Sequence, residues 1–439
     1  MVYRKGVGNH SSKKSVCVCV LVVIWVSGML AMLYNMSDWS SAPDTGSDPN
    51  SLFAYQAVTP LQYRQHVSGL NYGLYASGKE GAPEGDVTNP AVFTLRDLLQ
   101  DWNPDDTEAD HWTTSRAHPD QKGNKGGAGG GAVRRFDFQK PEDLRTAQKY
   151  RVAEMPFIVY NVPELDKGIG KLSLPQLKSN LGHMPRLVEG SKDNHFMYYS
   201  SKIGEHPLDM SWRPPQMDLP MTFAKFLRLA EEAEKVPHSG AAPLHYMTIG
   251  AGEGLATPWI REALPFFTDS RDDNFFIVDS DGFKGINCRF GMRGVVAEAH
   301  YDGGRNFVSM LKGRKRYLLL PPDECDKLRL LPRGHPSARH SSVDWSDMAE
   351  VDAADKLGGA RATEAMVSSG DILYIPGFWF HYIVSQDTSL QCNARSGNSE
   401  KGQDIIEKCM DGHDHESSRK RKKKSKKHKH FDILTESQI

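Results

Sequence analysis

Seven short runs of apolar, β-branched and aromatic residues follow one another from Phe275 onward: FFIV, NCRFGM, GVVAEAHY, NFVSML, KRYLLL, DILYI and FWFHYIV. Gly, Pro and Asp turns separate them. Short strands punctuated in this way predict a mainly β fold, a barrel or jelly roll closed from antiparallel pairs. Upstream, Pro156 to Val162 and Phe196 to Tyr199 also read as strands. Met221 to Ala233 has helical spacing, with Phe223, Phe226, Leu227 and Ala230 on one side. The portion before the barrel is therefore expected to contain helix. Six Cys in 439 residues do not make a disulfide scaffold. Cys288 and Cys392 fall in predicted strands and are expected to be small buried residues rather than redox partners.

A second feature lies near the N-terminus. Ser15 to Tyr34 is twenty residues without a charge, long enough as a helix to cross a bilayer. Arg4, Lys5, Lys13 and Lys14 precede it, and Asp38, Asp44 and Asp48 follow. The positive-inside rule then predicts a single-pass signal anchor with a cytosolic N-terminus and the main body in the secretory-pathway lumen or outside the cell. A cleaved signal peptide is the weaker reading, because the apolar stretch is long and no clear small-x-small site follows it. The organisation expected is a basic cytosolic segment over 1–14, the transmembrane helix over 15–34, a stem and Gly-rich linker over 35–135, an ordered domain over 136–397 and a disordered Lys/His-rich tail over 398–439. The Gly-rich stretch Gly123 to Gly131 lacks the Gly-Lys-Ser/Thr of a phosphate loop. Arg419 to His430 carries nine Lys and Arg, so a formal charge of −1 for the chain leaves the remainder at −10. An acidic body argues against a nucleic-acid-binding core, and the tail suits an acidic partner.

The chemistry concentrates in Gly291 to Pro322 and Gly370 to Val384. His300 and Asp302 stand at the end of an apolar run, and on a strand their spacing sends both side chains to one face. That suits two ligands of one metal, although such a triplet also arises by chance. His118-Pro119-Asp120 and His430-Phe431-Asp432 repeat the spacing without a strand around them. His381 lies among Phe378, Trp379, Phe380 and Tyr382, where it either fills core or faces a site. Lys315 shares a strand face with Tyr317 and Leu319. If that face is inward, its ammonium needs an anion, and if outward it is an ordinary solvated residue. Two His and one Asp on neighbouring strands would form a 2-His-1-carboxylate triad, which suits non-haem Fe(II) better than zinc.

The stretches HYDGGRNFVSMLKGRKRYLLLPPDE and GDILYIPGFWFHYI resemble the Jumonji C, cupin-like class of Fe(II)- and 2-oxoglutarate-dependent oxygenases. Within it they are most similar to the protein hydroxylases typified by the asparaginyl hydroxylase of hypoxia-inducible factor. The resemblance covers about Pro156 to Gly397. It implies a double-stranded β-helix, iron held by His300, Asp302 and His381, and 2-oxoglutarate paired with Lys315. Asn306, Asn393 and Tyr246 match positions that line the cofactor pocket in the family. It also implies dioxygen as co-substrate, decarboxylation of 2-oxoglutarate to succinate, a protein substrate and no specific nucleic acid. One departure stands out: Ala297 occupies the place of a threonine that hydrogen-bonds the diacid, and Tyr246 or Ser309 is expected to compensate. The alternatives are a Jumonji C lysine demethylase and a non-catalytic cupin-like binding module. The loop Arg333 to Gly359 carries no readable specificity.

Overall fold

The computed structural model describes residues 87, 89–100, 133–182, 185–200, 212–236, 243–251, 258–268, 274–279 and 282–411. Contacts divide the chain into 1–57 and 58–439, and all described residues belong to the second unit. Its strands are β1 (Phe93–Thr94), β2 (Arg134–Asp137), β3 (Phe157–Tyr160), β4 (Arg186–Ser191), β5 (His195–Phe196), β6 (Gln216–Met221), β7 (Leu244–Ala251) and β8 (Ile286–Gly291). They continue with β9 (Val296–Tyr301), β10 (Gly304–Lys312), β11 (Arg314–Leu320), β12 (Arg361–Ser368), β13 (Ile372–Ile375), β14 (Phe380–Ser385) and β15 (Ser389–Asn398). Helices α1 (Leu95–Gln100), α2 (Pro141–Val152), α3 (Pro163–Lys171), α4 (Leu174–Leu181), α5 (Phe223–Ala233), α6 (Pro258–Ala263) and α7 (Met348–Ala353) lie between them, and α8 covers residues 400–411.

Two sheets result. One runs β1-β12-β11-β14-β9-β5 and the other β2-β3-β13-β10-β15-β8-β7-β4-β6. Most pairs are antiparallel, and the chain passes between the sheets at Asp302 and Gly303, between β9 and β10. This is the mainly β jelly-roll architecture expected of a cupin-like domain. Val308, Met310, Tyr317, Leu319, Val367, Leu373 and Trp379 pack into one buried cluster that fills part of the interior. Inward alternation along β11 therefore carries Lys315 into the protein with Tyr317 and Leu319, and Lys315 is 1% exposed. Helix α5 follows its sequence pattern. The Thr222 hydroxyl caps it by accepting from the Lys225 N–H, and Phe223, Phe226, Leu227 and Ala230 are buried.

Several expectations need correcting. FFIV is a turn, not a strand. The Asn274 side chain accepts from the Phe276 N–H and donates to the Phe266 carbonyl, folding the segment back so that Phe275 and Phe276 plug the core against Phe138 and Phe307. Cys288 and Cys392 face each other across β8 and β15 and are joined as a disulfide, and Cys325 is joined to Cys409. Residues 89–100, assigned above to the stem, add β1 to the edge of β12 and place Leu95, Leu98 and Leu99 in a core cluster. Arg316 holds them there, donating to the Leu98 carbonyl while paired with buried Glu364. The domain also extends past 397, because α8 buries Ile406 and Met410 and carries Cys409. No helix among the described residues is long and apolar enough to cross a membrane, and residues 15–34 lie outside them. So do the triplets at His118 and His430 and the basic run from Arg419.

Candidate metal centre

Strands β9 and β14 are antiparallel neighbours with His300 directly opposite His381, and a register shift follows His381. Their rings meet edge to face with centroids 4.2 Å apart. Asp302, one residue beyond β9, brings its Oδ2 to 3.9 Å from His381 Nε2. One donor atom from each of His300, Asp302 and His381 lies within 4.8 Å of the others. Two loops bring the ligands together. The Phe378 N–H donates to the Asp302 carbonyl at 2.7 Å, and Gly377 approaches so closely that a Cβ there would sit 2.6 Å from the Gly303 carbonyl oxygen. Only glycine fits that approach.

Both imidazoles are fixed from behind. His300 Nδ1 lies 2.5 Å from the Glu298 carbonyl and His381 Nδ1 3.0 Å from the Trp379 carbonyl. Each Nδ1 therefore carries the proton and each Nε2 is left as a lone-pair donor, the arrangement that orients metal-ligating histidines. Burial, reinforced by His381 and His340, holds the His300 imidazole well below its usual range, and burial likewise lowers His381. Neutral imidazole is the ligating form. Burial raises the Asp302 carboxyl, but Arg395, His300, His381 and Arg339 outweigh it and keep Asp302 ionised far below the ordinary carboxylate range. Arg339 donates to Oδ1 at 2.7 Å. Arg395 comes within 2.5 Å of Oδ2 but off the line of a hydrogen bond, leaving that buried oxygen without a donor. Two neutral imidazoles, an ionised carboxylate and a donorless carboxylate oxygen fit a divalent ion.

Beside this cluster lies a cavity of about 510 Å³, bordered by His300, Asp302, Ala297, Tyr246, Arg289, Arg339 and Arg395 among others. That volume is ordinary for a small-molecule site. Lys315 donates to the Tyr246 hydroxyl at 3.5 Å, and the Arg289 guanidinium lies 6.0 Å from the centre of the same ring. Against the burial that would raise it, these two cations lower the Tyr246 phenol. Tyr246 borders the cavity, whereas Lys315 does not. Asn306 and Asn393 are buried on adjacent strands and bond each other, Asn393 Nδ2 to Asn306 Oδ1 at 3.0 Å, and neither borders the cavity. Trp379, Phe378 and Phe380 are core residues rather than cavity wall. Ser309, expected as a stand-in for the threonine replaced by Ala297, donates to the Cys392 carbonyl instead.

Sequence reasoning missed four residues. Arg339 and His340 come from the loop in which no specificity was readable. His340 is 1% exposed and stacks on His300 with centroids 4.9 Å apart. Burial, and then the charge of Arg339, hold its imidazole down to about 3. Arg289 and Arg395 sit on strands β8 and β15, where no spacing or resemblance singled them out. A further group, His195, Glu298 and Asp344, also has its donor atoms within 4.8 Å of one another. There His195 Nδ1 bonds Glu298 and Nε2 lies 3.4 Å from the Ser346 hydroxyl, so both ring nitrogens are engaged. This group is an ion-pair clamp on β5 and β9.

Comparison with known proteins bears on this geometry. Residues 192–394 match the cupin-like domain family. The chain is 27% identical over 189 residues to mouse tRNA wybutosine-synthesizing protein 5, covering 41% of this chain and 58% of that protein. It is 26% identical over 121 residues to a lysine-specific demethylase of Arabidopsis thaliana, 26% of this chain and 21% of the relative. It is 29% identical over 118 residues to Jumonji C domain-containing protein 5 of Drosophila melanogaster, 25% and 27% respectively. The matched stretch thus spans little more than half of the mouse relative and about a quarter of the other two. The chain carries a cupin-like domain, and a Jumonji C-domain protein is among its relatives.

Proposed function

We propose that the chain is a membrane-anchored Fe(II)- and 2-oxoglutarate-dependent oxygenase that hydroxylates a protein side chain in the secretory-pathway lumen or outside the cell. The observation that carries the reading is the convergence of His300, Asp302 and His381, with both Nδ1 atoms fixed by backbone carbonyls. Those three residues would hold the iron. With 2-oxoglutarate and dioxygen, the iron would supply oxidation of a substrate C–H bond coupled to decarboxylation of the diacid.

The chain's own part is positioning. Neutral imidazoles and an ionised Asp302 present three donors at once. Tyr246, backed by Lys315, offers a positively polarised hydroxyl to a carboxylate of the diacid. The buried cluster on β10, β11 and β13 keeps water from the interior. Two disulfides favour an oxidising compartment, which agrees with the topology expected from Ser15 to Tyr34. The same disulfides weigh against nuclear lysine demethylation, although demethylases are among the relatives.

The full chain, purified in detergent and given Fe(II), ascorbate and 2-oxoglutarate, is expected to release succinate, and His300→Ala is expected to abolish that release. Equal succinate release by the variant would remove the proposed ligand set.

A further inference from the structure

We propose that Arg289 is a second cationic anchor for the far carboxylate of the diacid co-substrate, taking the place of the hydrogen bond that Ala297 cannot make. This rests on the oxygenase reading above and adds to it a residue that neither spacing nor resemblance indicated.

Three guanidiniums border the cavity: Arg289, Arg339 and Arg395. Arg339 and Arg395 are committed to Asp302, at 2.7 and 2.5 Å. Arg289 makes no ion pair with a carboxylate among the described residues, and its guanidinium carbon lies 6.0 Å from the Tyr246 ring centroid. Asp302 and Glu189 favour its charge from across the cavity without pairing with it, and an anionic ligand would supply a direct partner.

The register of β7 and β8 explains the placement. Tyr246 lies opposite Gly291 and Thr248 opposite Arg289, so Arg289 and Tyr246 are diagonal neighbours on one sheet face. Gly291 leaves room for the ring, since a Cβ there would stand 3.3 Å from Tyr246 Cε2. Lys315 reaches the Tyr246 hydroxyl at 3.5 Å. Two cations thus flank one tyrosine on the cavity wall. Ala297 borders that cavity with only a methyl group, and Ser309 is spent on the Cys392 carbonyl. Arg289 lines the cavity without a paired carboxylate, and a guanidinium is suited to hold both oxygens of one.

The test is calorimetric titration of the full chain in detergent, loaded with redox-silent Mn(II), using 2-oxoglutarate and then 2-oxopentanoate, a ketoacid of the same length without the far carboxylate. Arg289→Met is expected to weaken 2-oxoglutarate on the order of tenfold to a hundredfold, the loss of a hydrogen-bonded charge. It should leave 2-oxopentanoate and Mn(II) stoichiometry unchanged. Arg289→Lys should keep most of the affinity, and Ala297→Thr should restore part of it in the Arg289→Met background. A merely structural arginine would weaken both ketoacids alike, and that result overturns the assignment. So does 2-oxoglutarate binding by Arg289→Met within about twofold of wild type. If Arg289→Met fails to fold, Arg289→Lys decides by the same two ketoacids: selective weakening or retention with the diacid preference intact supports the anchor, and equal weakening of both overturns it. A wild-type chain that takes Mn(II) and neither ketoacid removes the oxygenase reading and the anchor with it.

Discussion

His195 shows how one side chain can tie stability to pH. Burial alone would lower its imidazole, but the bond to Glu298 and the charges of Glu298, Asp344 and Asp193 raise it to about 9 from 6.5. A histidine raised in the folded state stabilises fully below its unfolded value and loses that contribution as pH climbs through the folded one. The stabilisation is therefore complete below about pH 6.5 and fades toward pH 9. It amounts to at most about 3 kcal/mol. Thermal melts of His195→Gln should lie below wild type at pH 6 and converge with it above about pH 9. A constant gap across that range would show that His195 acts by packing alone. At this scale the sequence revealed the site unevenly. His300 and Asp302 were legible as a pair because strand spacing sends both to one face, whereas spacing left His381 open between core and site, and β14 sets it opposite His300. Lys315 was half legible: its company on β11 was clear, but its facing became clear only with Leu319 and Tyr317 in the core. Arg289, Arg339 and Arg395 were not legible, because a lone arginine on a strand or loop has no partner at fixed spacing to mark it as facing a site.

Elements were legible in proportion to their apolar pattern. Six of the seven β-type runs correspond to strands, and α5 buries the four residues that its spacing indicated. Strand β15, SLQCNARSGN, carries little apolar signal because only Leu390, Cys392 and Ala394 among its buried residues are apolar, and β12 hides behind RATEAMVS. Helix α8 is the clearest failure of composition. Its sequence is too polar to fold alone, yet Ile406 and Met410 are buried and Cys409 is bonded to Cys325. Packing and a covalent tie supply what its propensity lacks. The bond joins residues 84 apart, for which loop-closure entropy suggests about 4–5 kcal/mol. Cys409→Ser should lower the melting temperature by several degrees and expose α8 to proteolysis first, read by mass spectrometry of limited digests. An unchanged digestion order would show that apolar contacts alone hold the helix.

For the whole molecule the question is where it works. On the proposed topology the apolar run Ser15 to Tyr34 and the two disulfides would agree by independent physical routes, one through transfer into lipid and the other through redox poise. Intact microsomes from cells making the chain should protect residues 133–411 from added protease until detergent is supplied. Digestion of that region without detergent would place the domain in the cytosol. The order of the cysteines carries a further consequence. Their bridges interlace: Cys288 pairs with Cys392 across Cys325, and Cys325 pairs with Cys409 across Cys392. If the domain matures in the lumen, as proposed, the first two of these thiols to arrive are Cys288 and Cys325, which are not partners. Any bond they form early must be undone before β15 can be stapled to β8. Maturation of this protein therefore leans on a shuffling catalyst as well as an oxidant, and a host that supplies only the oxidant should accumulate wrongly stapled chains.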